Sequence, residues 1–332
     1  MSVEALKLIE EVQARREARR SLRAWIRYRG SPYQLAAHHG LMVDQLEAIE
    51  GGKNVRLMLL LPPGSAKSTY GSVEFPAWFV GRNPEKSVIA ASNTNDLAER
   101  FSRRVRNLVS ESRFRDVFGC GVSEDYGGAG KWETDKGGEY YAAGVGGAIA
   151  GRRADLAIID DPVKSREDAD SEKARDKQWE WYINDLLTRL KPDAGIILIM
   201  TRWHEDDLAG RLLPKSWAGE SGEIECRDGN TWKVLCIQAE CETSSDPLKR
   251  KIGEMLWPEW FSARHWNQFR LNRRTWSSLY QQRPAPDAGI LFRSDDMGTY
   301  ESKPDGLMII GATDAALTPD DGDWTEHGIA GV

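Results

Sequence analysis

Residues 57–69 read L-M-L-L-L-P-P-G-S-A-K-S-T, and residues 155–161 read D-L-A-I-I-D-D. The first is an apolar strand running into a tight turn, after which Lys67, Ser68 and Thr69 open a helix. The second is an apolar strand ending in two acids, Asp160 and Asp161. A nucleoside triphosphate with Mg²⁺ needs both parts. Backbone N–H groups and a lysine cradle the phosphates, a hydroxyl touches the metal, and a carboxylate on a neighbouring strand end holds the metal from the other side. The usual phosphate loop, G-x-x-x-x-G-K-[ST], is matched imperfectly. Leu61 stands at its first glycine and Ala66 at its second, while Pro62, Pro63 and Gly64 keep a turn possible. Ala66 restricts the backbone if that position needs positive φ. Taken alone, A-K-S-T after an apolar strand describes a buried strand feeding a helix; the second strand turns the reading to a nucleotide site.

The strand-and-helix rhythm extends outward from these stretches. Strands are expected at 55–61, 87–92, 139–143, 155–160 and 195–200, and helices at 67–80, 95–110 and 171–190. That alternation predicts an α/β fold with a mostly parallel sheet covered by helices on both faces, its ligand edge at the carboxyl ends of the strands. Residues 119–138 read as a loop or short hairpin, and Arg227-Asp228-Gly229-Asn230 marks a hairpin turn within 223–240. Residues 4–29 read as a basic helix with Arg16, Arg19, Arg20, Arg23 and Arg27 near one face, either a solvated arm or a contact to DNA phosphate or a neighbouring subunit.

The chain has 332 residues, 29% charged and 40% hydrophobic, with a net charge of -6. These values describe a soluble globular protein with no global pull toward nucleic acid, so any DNA contact must come from local basic patches. Two are Arg100, Arg103, Arg104 and Arg106 on one helix, and Arg264, Arg270, Arg273 and Arg274 interleaved with Trp266 and Phe269; a solvated helix face is the plainer reading of each. No apolar run reaches membrane-spanning length. Cys120, Cys226, Cys236 and Cys241 lack C-x-x-C spacing, so neither a zinc site nor a disulfide framework is suggested.

Three further stretches are G-V-G-G-A-I-A-G-R-R at 144–153, I-I-L-I-M-T-R-W-H-E-D-D-L-A-G-R-L-L at 196–213 and L-Y-Q-Q-R-P-A-P-D-A-G-I-L-F-R at 279–293. Together with P-P-G-S-A-K-S-T and I-I-D-D-P they resemble the large terminase subunit of tailed bacteriophages, in the branch with T-R-W-H-x-D-D-L and L-Y-Q-Q-R-P motifs. The resemblance implies a P-loop ATPase of the additional-strand type followed by an RNase H-like nuclease domain. It implies ATP and Mg²⁺ as cofactors, with Mg²⁺ or Mn²⁺ for a complete nuclease. The implied partners are double-stranded DNA, the portal protein, the small terminase subunit and copies of the chain in a ring on the portal. The implied place is the cytoplasm of the infected bacterial host, with no membrane. The expected divisions are 1–30, a basic arm; 31–215, the ATPase core; 216–290, a lid or linker; and 291–332, the start of a nuclease domain expected to be too short to cut DNA.

Roles follow by position. Pro63, Gly64, Ser65, Ala66, Lys67, Ser68 and Thr69 form the phosphate loop, with Lys67 neutralising the β- and γ-phosphates and Ser68 ligating Mg²⁺. Asp160 would hold the metal, directly or through water. Asp161 would orient or deprotonate the attacking water, where most terminases have a glutamate. Thr201 would sense the γ-phosphate within the coupling motif, and His39, with Gln34 and His38, lies in the region used for adenine. Arg152 or Arg153 would be an arginine finger from a neighbouring subunit, a surface salt bridge being the alternative. Asp314 matches the first metal-binding acid of the nuclease, where cleavage needs several carboxylates around ions about 3.5–4 Å apart. The alternatives to a packaging motor are a non-hydrolysing nucleotide-binding assembly protein and a helicase-like DNA-stimulated ATPase.

Overall fold

The strand β1 (Arg56–Leu60) bonds to a parallel neighbour on each side, so its apolar run has no exposed face or edge. The computed structural model describes residues 2–30, 35–52, 55–284, 309–314 and 326–331. The other strands of this sheet are β2 (Val88–Ser92), β3 (Val122–Gly127), β4 (Lys131–Thr134), β5 (Glu139–Gly144), β6 (Ala154–Asp160), β7 (Leu190–Met200), β8 (Gly222–Glu225) and β9 (Thr231–Cys236). Their order is β3-β4-β5-β2-β6-β7-β1-β9-β8. From β5 to β9 every pairing is parallel, and antiparallel partners close both edges. The fold is the expected α/β sheet, and β7 is the additional strand, inserted between β1 and β6.

Side chains alternate across the sheet, because successive residues of a strand point to opposite faces. Leu57, Leu59, Ile158, Ile197 and Ile199 pack with Trp25, Phe75 and Trp78 on one face. Met58, Leu60, Ile159, Ile196 and Leu198 pack with Trp181, Tyr182 and Leu208 on the other. The first face is covered by α1 (Val3–Arg20), α2 (Leu22–Tyr28), α3 (Ala37–Glu50) and the helix after the phosphate loop. That helix runs as α4 (Lys67–Thr69), a π-helical turn (Tyr70–Glu74) and α5 (Phe75–Arg82). It lies so close to the sheet that a Cβ on Gly71 would meet Ile199 Cδ1 at 2.3 Å. Next come α6 (Asn95–Val109) and α7 (Ser112–Phe118), then α8 (Arg166–Asp170), α9 (Glu172–Glu180), α10 (Leu208–Leu212) and α11 (Ala263–Arg270).

The described chain divides into two compact units, residues 1–290 and 291–332. Ala18, Leu22, Trp25 and Ile26 are buried, so the later part of residues 1–30 packs on the core, whereas Val3, Leu6, Leu8, Ile9 and Val12 are exposed. The break at Ser21 arises because its hydroxyl caps α2 by accepting from the Ala24 N–H. The hairpin β8–β9 lengthens the main sheet beside β1. In the second unit, β10 (Ile309–Asp314) and β11 (Glu326–Gly331) pair antiparallel, with Asp314 opposite Glu326. Among the described residues, no helix is long and apolar enough to cross a membrane.

Candidate nucleotide site

In a parallel sheet the chain leaves every strand at the same edge, and the register brings four strand ends together here. Leu60 lies beside Met200, Ile199 beside Asp160, and Asp160 beside Ser92. The residues that follow these strands, Leu61, Asp161, Thr201 and Asn93, therefore share one edge, and hydrogen bonds tie them. Thr201 Oγ1 donates to the Leu61 carbonyl at 3.0 Å, and the Thr201 N–H donates to Asp161 Oδ1 at 3.2 Å. Asn93 Nδ2 donates to the Asp161 carbonyl at 2.9 Å.

The loop from Leu61 to Ala66 has the shape its spacing suggested. Gly64 takes φ 80 and Ala66 takes φ 61, so the position where glycine is usual does demand a left-handed backbone, and Ala66 adopts it. Ala66 supplies no side-chain cap, which leaves the first amide donors of the helix free of a side-chain acceptor. Lys67 is buried at 6% exposure, with Nζ 3.2 Å from Asp161 Oδ2. Ser68 Oγ donates to Asp160 Oδ1 at 3.1 Å, and Ser72 Oγ, one turn on, donates to Asp160 Oδ2 at 2.7 Å. The Asp160 carboxylate is 1% exposed. Burial first, and then the charge of Asp161, push its pKa well above the ordinary carboxylate range, while Ser72, Lys67 and Ser68 pull it back. A buried carboxylate raised in this way is short of positive charge. Two carboxylates and two hydroxyls are hard oxygen donors of the type Mg²⁺ prefers, so the residues fit that ion. Asp161 has φ 45 and ends β6 in a turn that aims its carboxylate at the lysine.

The residues singled out from the sequence divide by place. Gly64, Ser65, Ala66, Lys67, Ser68, Asp160, Asp161 and Thr201 meet at this edge, with Pro63 and Thr69 in the same loop and helix start. His39 is an interior residue: its Nδ1 accepts from the Ala36 N–H at 3.1 Å, and its ring packs 4.6 Å from Tyr70 and 4.6 Å from Trp257. His38 touches the loop, with Nε2 donating to the Ser65 carbonyl at 3.2 Å. Burial is the main force lowering both histidines, to about 3 for His38 and about 4 for His39, so both are neutral. Gln34 lies outside the described residues.

Arg152 and Arg153 precede the amino end of β6, whereas Asp160 ends it. Six strand steps separate the two edges by about 20 Å. Arg152 is 3.5 Å from Glu139 and lies 3.7 Å over the Tyr141 ring, and Arg153 is exposed. Neither reaches the phosphate loop of its own chain. Trp266 is buried, Arg270 pairs with Glu240 and Arg274 with Asp170, so the second basic stretch is structural at these positions.

The whole group sits at the edge of a sheet in which β7 separates the loop strand from the acid strand. The family described as Terminase large subunit, T4likevirus-type, N-terminal, matches residues 58–274. The chain belongs to the large terminase family, a family of phage DNA-packaging proteins. Over 157 residues it is 25% identical to the terminase large subunit of Enterobacteria phage T3, a match spanning 45% of this chain and 26% of that relative. It also aligns with the crystal structure of the HK97 bacteriophage large terminase at 14% identity and a TM-score of 0.38, covering 58% of this chain and 42% of that one. For this terminase, sequence reasoning missed Ser72, Asn93, Trp257, Phe261 and Gln282. Ser72 had a signal, four residues after Ser68 on the same helix. Asn93 had a weaker one, one residue past a parallel strand. Phe261 had none: it comes from a distant turn and rests on Gly64, where a Cβ would meet its Cζ at 3.0 Å. Trp257, beside it, takes φ 53, a costly backbone for a bulky residue, and packs on His38 and His39.

Proposed function

We propose that this chain is the ATP-hydrolysing part of a DNA-packaging motor. The observation that carries the reading is the convergence of Lys67, Ser68, Asp160, Asp161 and Thr201 on one sheet edge, with the ammonium 3.2 Å from Asp161 and the Ser68 hydroxyl 3.1 Å from Asp160. Lys67 and the amides of the loop bind and neutralise the β- and γ-phosphates. Ser68 and Asp160 are the residues that would hold Mg²⁺, which when bound draws charge off the phosphate oxygens. Asp161 orients a water molecule and accepts its proton as the water oxygen attacks the γ-phosphorus. The bond from that phosphorus to the bridging oxygen breaks, and ADP carries the bond's electrons away. The Thr201 N–H holds the Asp161 carboxylate and Asn93 holds its backbone carbonyl. Entry of the γ-phosphate would draw the lysine from Asp161 and free that carboxylate for water.

In this reading the partners are double-stranded DNA, the portal, the small terminase subunit and further copies of the chain. Arg152 or Arg153 reaches a phosphate only from another copy, which is the arrangement an arginine finger supplied in trans uses. Asp314 is kept as a nuclease metal ligand within the same proposal. The alternative of a non-hydrolysing assembly protein is disfavoured by Ala66, which holds the strained backbone a working loop needs although its side chain opposes it. Phosphate release from ATP by the purified chain tests the proposal. Turnover that is lost in both Lys67→Ala and Asp160→Asn supports it. ATP binding without turnover, even with DNA present, assigns the chain to the assembly alternative.

A further inference from the structure

A concavity lies beside Arg202, which follows Thr201 past the end of β7. It encloses about 680 Å³, within the range of small-ligand sites, and its walls include Arg202, Lys215, Trp217, Arg227, Gln282 and Arg283. None of the phosphate-loop residues lines it. Arg202 is only 3% exposed. Its Nε is bonded to both oxygens of Asp207 at 2.9 Å, and its guanidinium carbon stands 5.5 Å from the centre of the Trp217 ring. Its Nη2 has only long contacts, 3.4 Å, to the carbonyls of His204 and Glu205. Its Nη1 makes no hydrogen bond among the described residues.

The charge balance around this buried cation is uneven. Lys215 and Arg227 are exposed and have no acidic partner among the described residues. Arg283 is bound to Glu242 at 2.9 Å. Of the two acids on the wall, Asp206 is already held by Arg175 at 3.1 Å and Arg211 at 2.6 Å, leaving Glu205 alone against Lys215 and Arg227, the latter with a long 3.5 Å bond to the Gly210 carbonyl. A concave site with an aromatic wall, a buried guanidinium with an unused N–H and an excess of cations over acids at its rim has the chemistry that binds a phosphate ester.

We propose that this cavity is a second anion site of the chain and takes a phosphate ester, supplied either by the backbone of duplex DNA or by a free nucleotide. Naming DNA as a source rests on the packaging reading; the site itself does not. The site is joined to Asp161 by one peptide. The Thr201 N–H is bonded to Asp161, and the next N–H, that of Arg202, is bonded to Gln282 Oε1 at 3.1 Å. A phosphate drawn to Arg202 therefore acts on the strand end that orients Asp161.

The test uses the full chain carrying Lys67→Ala, which disables the phosphate loop, and reads binding rather than hydrolysis. A short labelled duplex is titrated by fluorescence anisotropy at several salt concentrations, and AMP by calorimetry. Each titration is repeated with Lys215→Glu and Arg227→Glu added. If DNA is the source, the double reversal weakens duplex binding by about ten-fold or more and makes the log–log salt slope shallower by about two. If a nucleotide is the source, saturable AMP binding is present and then lost on reversal. A matched reversal of the exposed Lys136 and Lys251 controls for net charge. The proposal is overturned if neither ligand binds, if the double reversal changes neither titration, or if the control pair weakens duplex binding equally. Circular dichroism melting checks folding, and the neutral pair Lys215→Gln and Arg227→Gln replaces any reversal that fails to fold. ATP hydrolysis by the chain with Lys67 intact is a separate measurement, so failure here leaves the motor reading to its own test.

Discussion

Ala66 pays for the loop in backbone strain. Its φ of 61 is left-handed, where a Cβ crowds the following carbonyl, at about 1–2 kcal/mol. Glycine there removes the clash and returns part of the gain as lost chain entropy. Ala66→Gly is therefore expected to raise thermal stability by up to about 1 kcal/mol, read as a higher midpoint in urea or heat; a lowered midpoint would show the position tolerates alanine without strain. Ser72 is the second residue where a local contact has a chemical consequence. Its hydroxyl fixes the Asp160 oxygen that Ser68 does not touch. Supporting bonds of this type are worth about 10- to 100-fold in metal affinity. Ser72→Ala is expected to raise the Mg²⁺ concentration for half-maximal ATP hydrolysis about ten-fold, with Ser72→Thr close to the native value. An unchanged Mg²⁺ dependence in Ser72→Ala would reduce the contact to packing.

At the scale of elements, the stretch L-Y-Q-Q-R-P is a clasp. Leu279 and Tyr280 enter the core of the first face, and the next two residues turn back onto the sheet. Gln281 Oε1 accepts from the Glu240 N–H at 3.0 Å, and its Nε2 donates to Glu242 Oε1 at 2.6 Å. Gln282 is fully buried with φ 57, and its Oε1 takes the Arg202 N–H. The motif after β7 and the motif that ends the unit are thus one structural device. Gln282→Leu leaves a buried N–H without an acceptor, at a cost of about 1–3 kcal/mol. The expected result is a lower melting temperature and faster hydrogen exchange at the Arg202 amide, and native exchange at that amide would contradict the clasp. The acids of T-R-W-H-E-D-D-L act the same way. Asp207 accepts from the Gly210 N–H to cap α10 and also holds Arg202. The neighbouring Asp206 serves Arg175 and Arg211 instead.

For the whole molecule, the histidines beside the phosphate loop couple folding to pH. His38 is lowered to about 3 and His39 to about 4 by burial, with His39 and Arg250 further opposing a proton on His38. An unfolded histidine titrates near 6.5, so below that pH the unfolded chain binds protons that the folded chain refuses. The stabilisation is complete above about pH 6.5 and is lost as pH falls toward the folded values. At pH 5 the loss is about 2 kcal/mol per histidine. Glu74 and Asp160, raised by burial, act in the opposite sense and are common to variant and native chain. The difference in unfolding free energy by urea titration between pH 7.5 and pH 5 is therefore expected to be smaller in His38→Gln by about that amount; equal differences would mean His38 is protonated in the fold.

How much of this was legible in the sequence depends on whether the signal was local. The strand L-M-L-L-L, the turn after it, the helix from Lys67 and the apolar run into Asp160 each declare themselves within a few residues, because burial on both faces of a parallel strand forces a continuous apolar run. That fixed the sheet, the side chains at its ligand edge and the family. The tertiary structure alone decided the rest. It seated His38 against the Ser65 carbonyl, set Arg152 and Arg153 at the opposite edge of the sheet from Asp160, and drew β9 into the main sheet beside β1. It also brought Phe261 onto Gly64 and Gln282 onto Arg202. These are contacts between residues far apart in the chain, whose partners are selected by packing and by the need of buried donors for acceptors, and no spacing within a single segment encodes them.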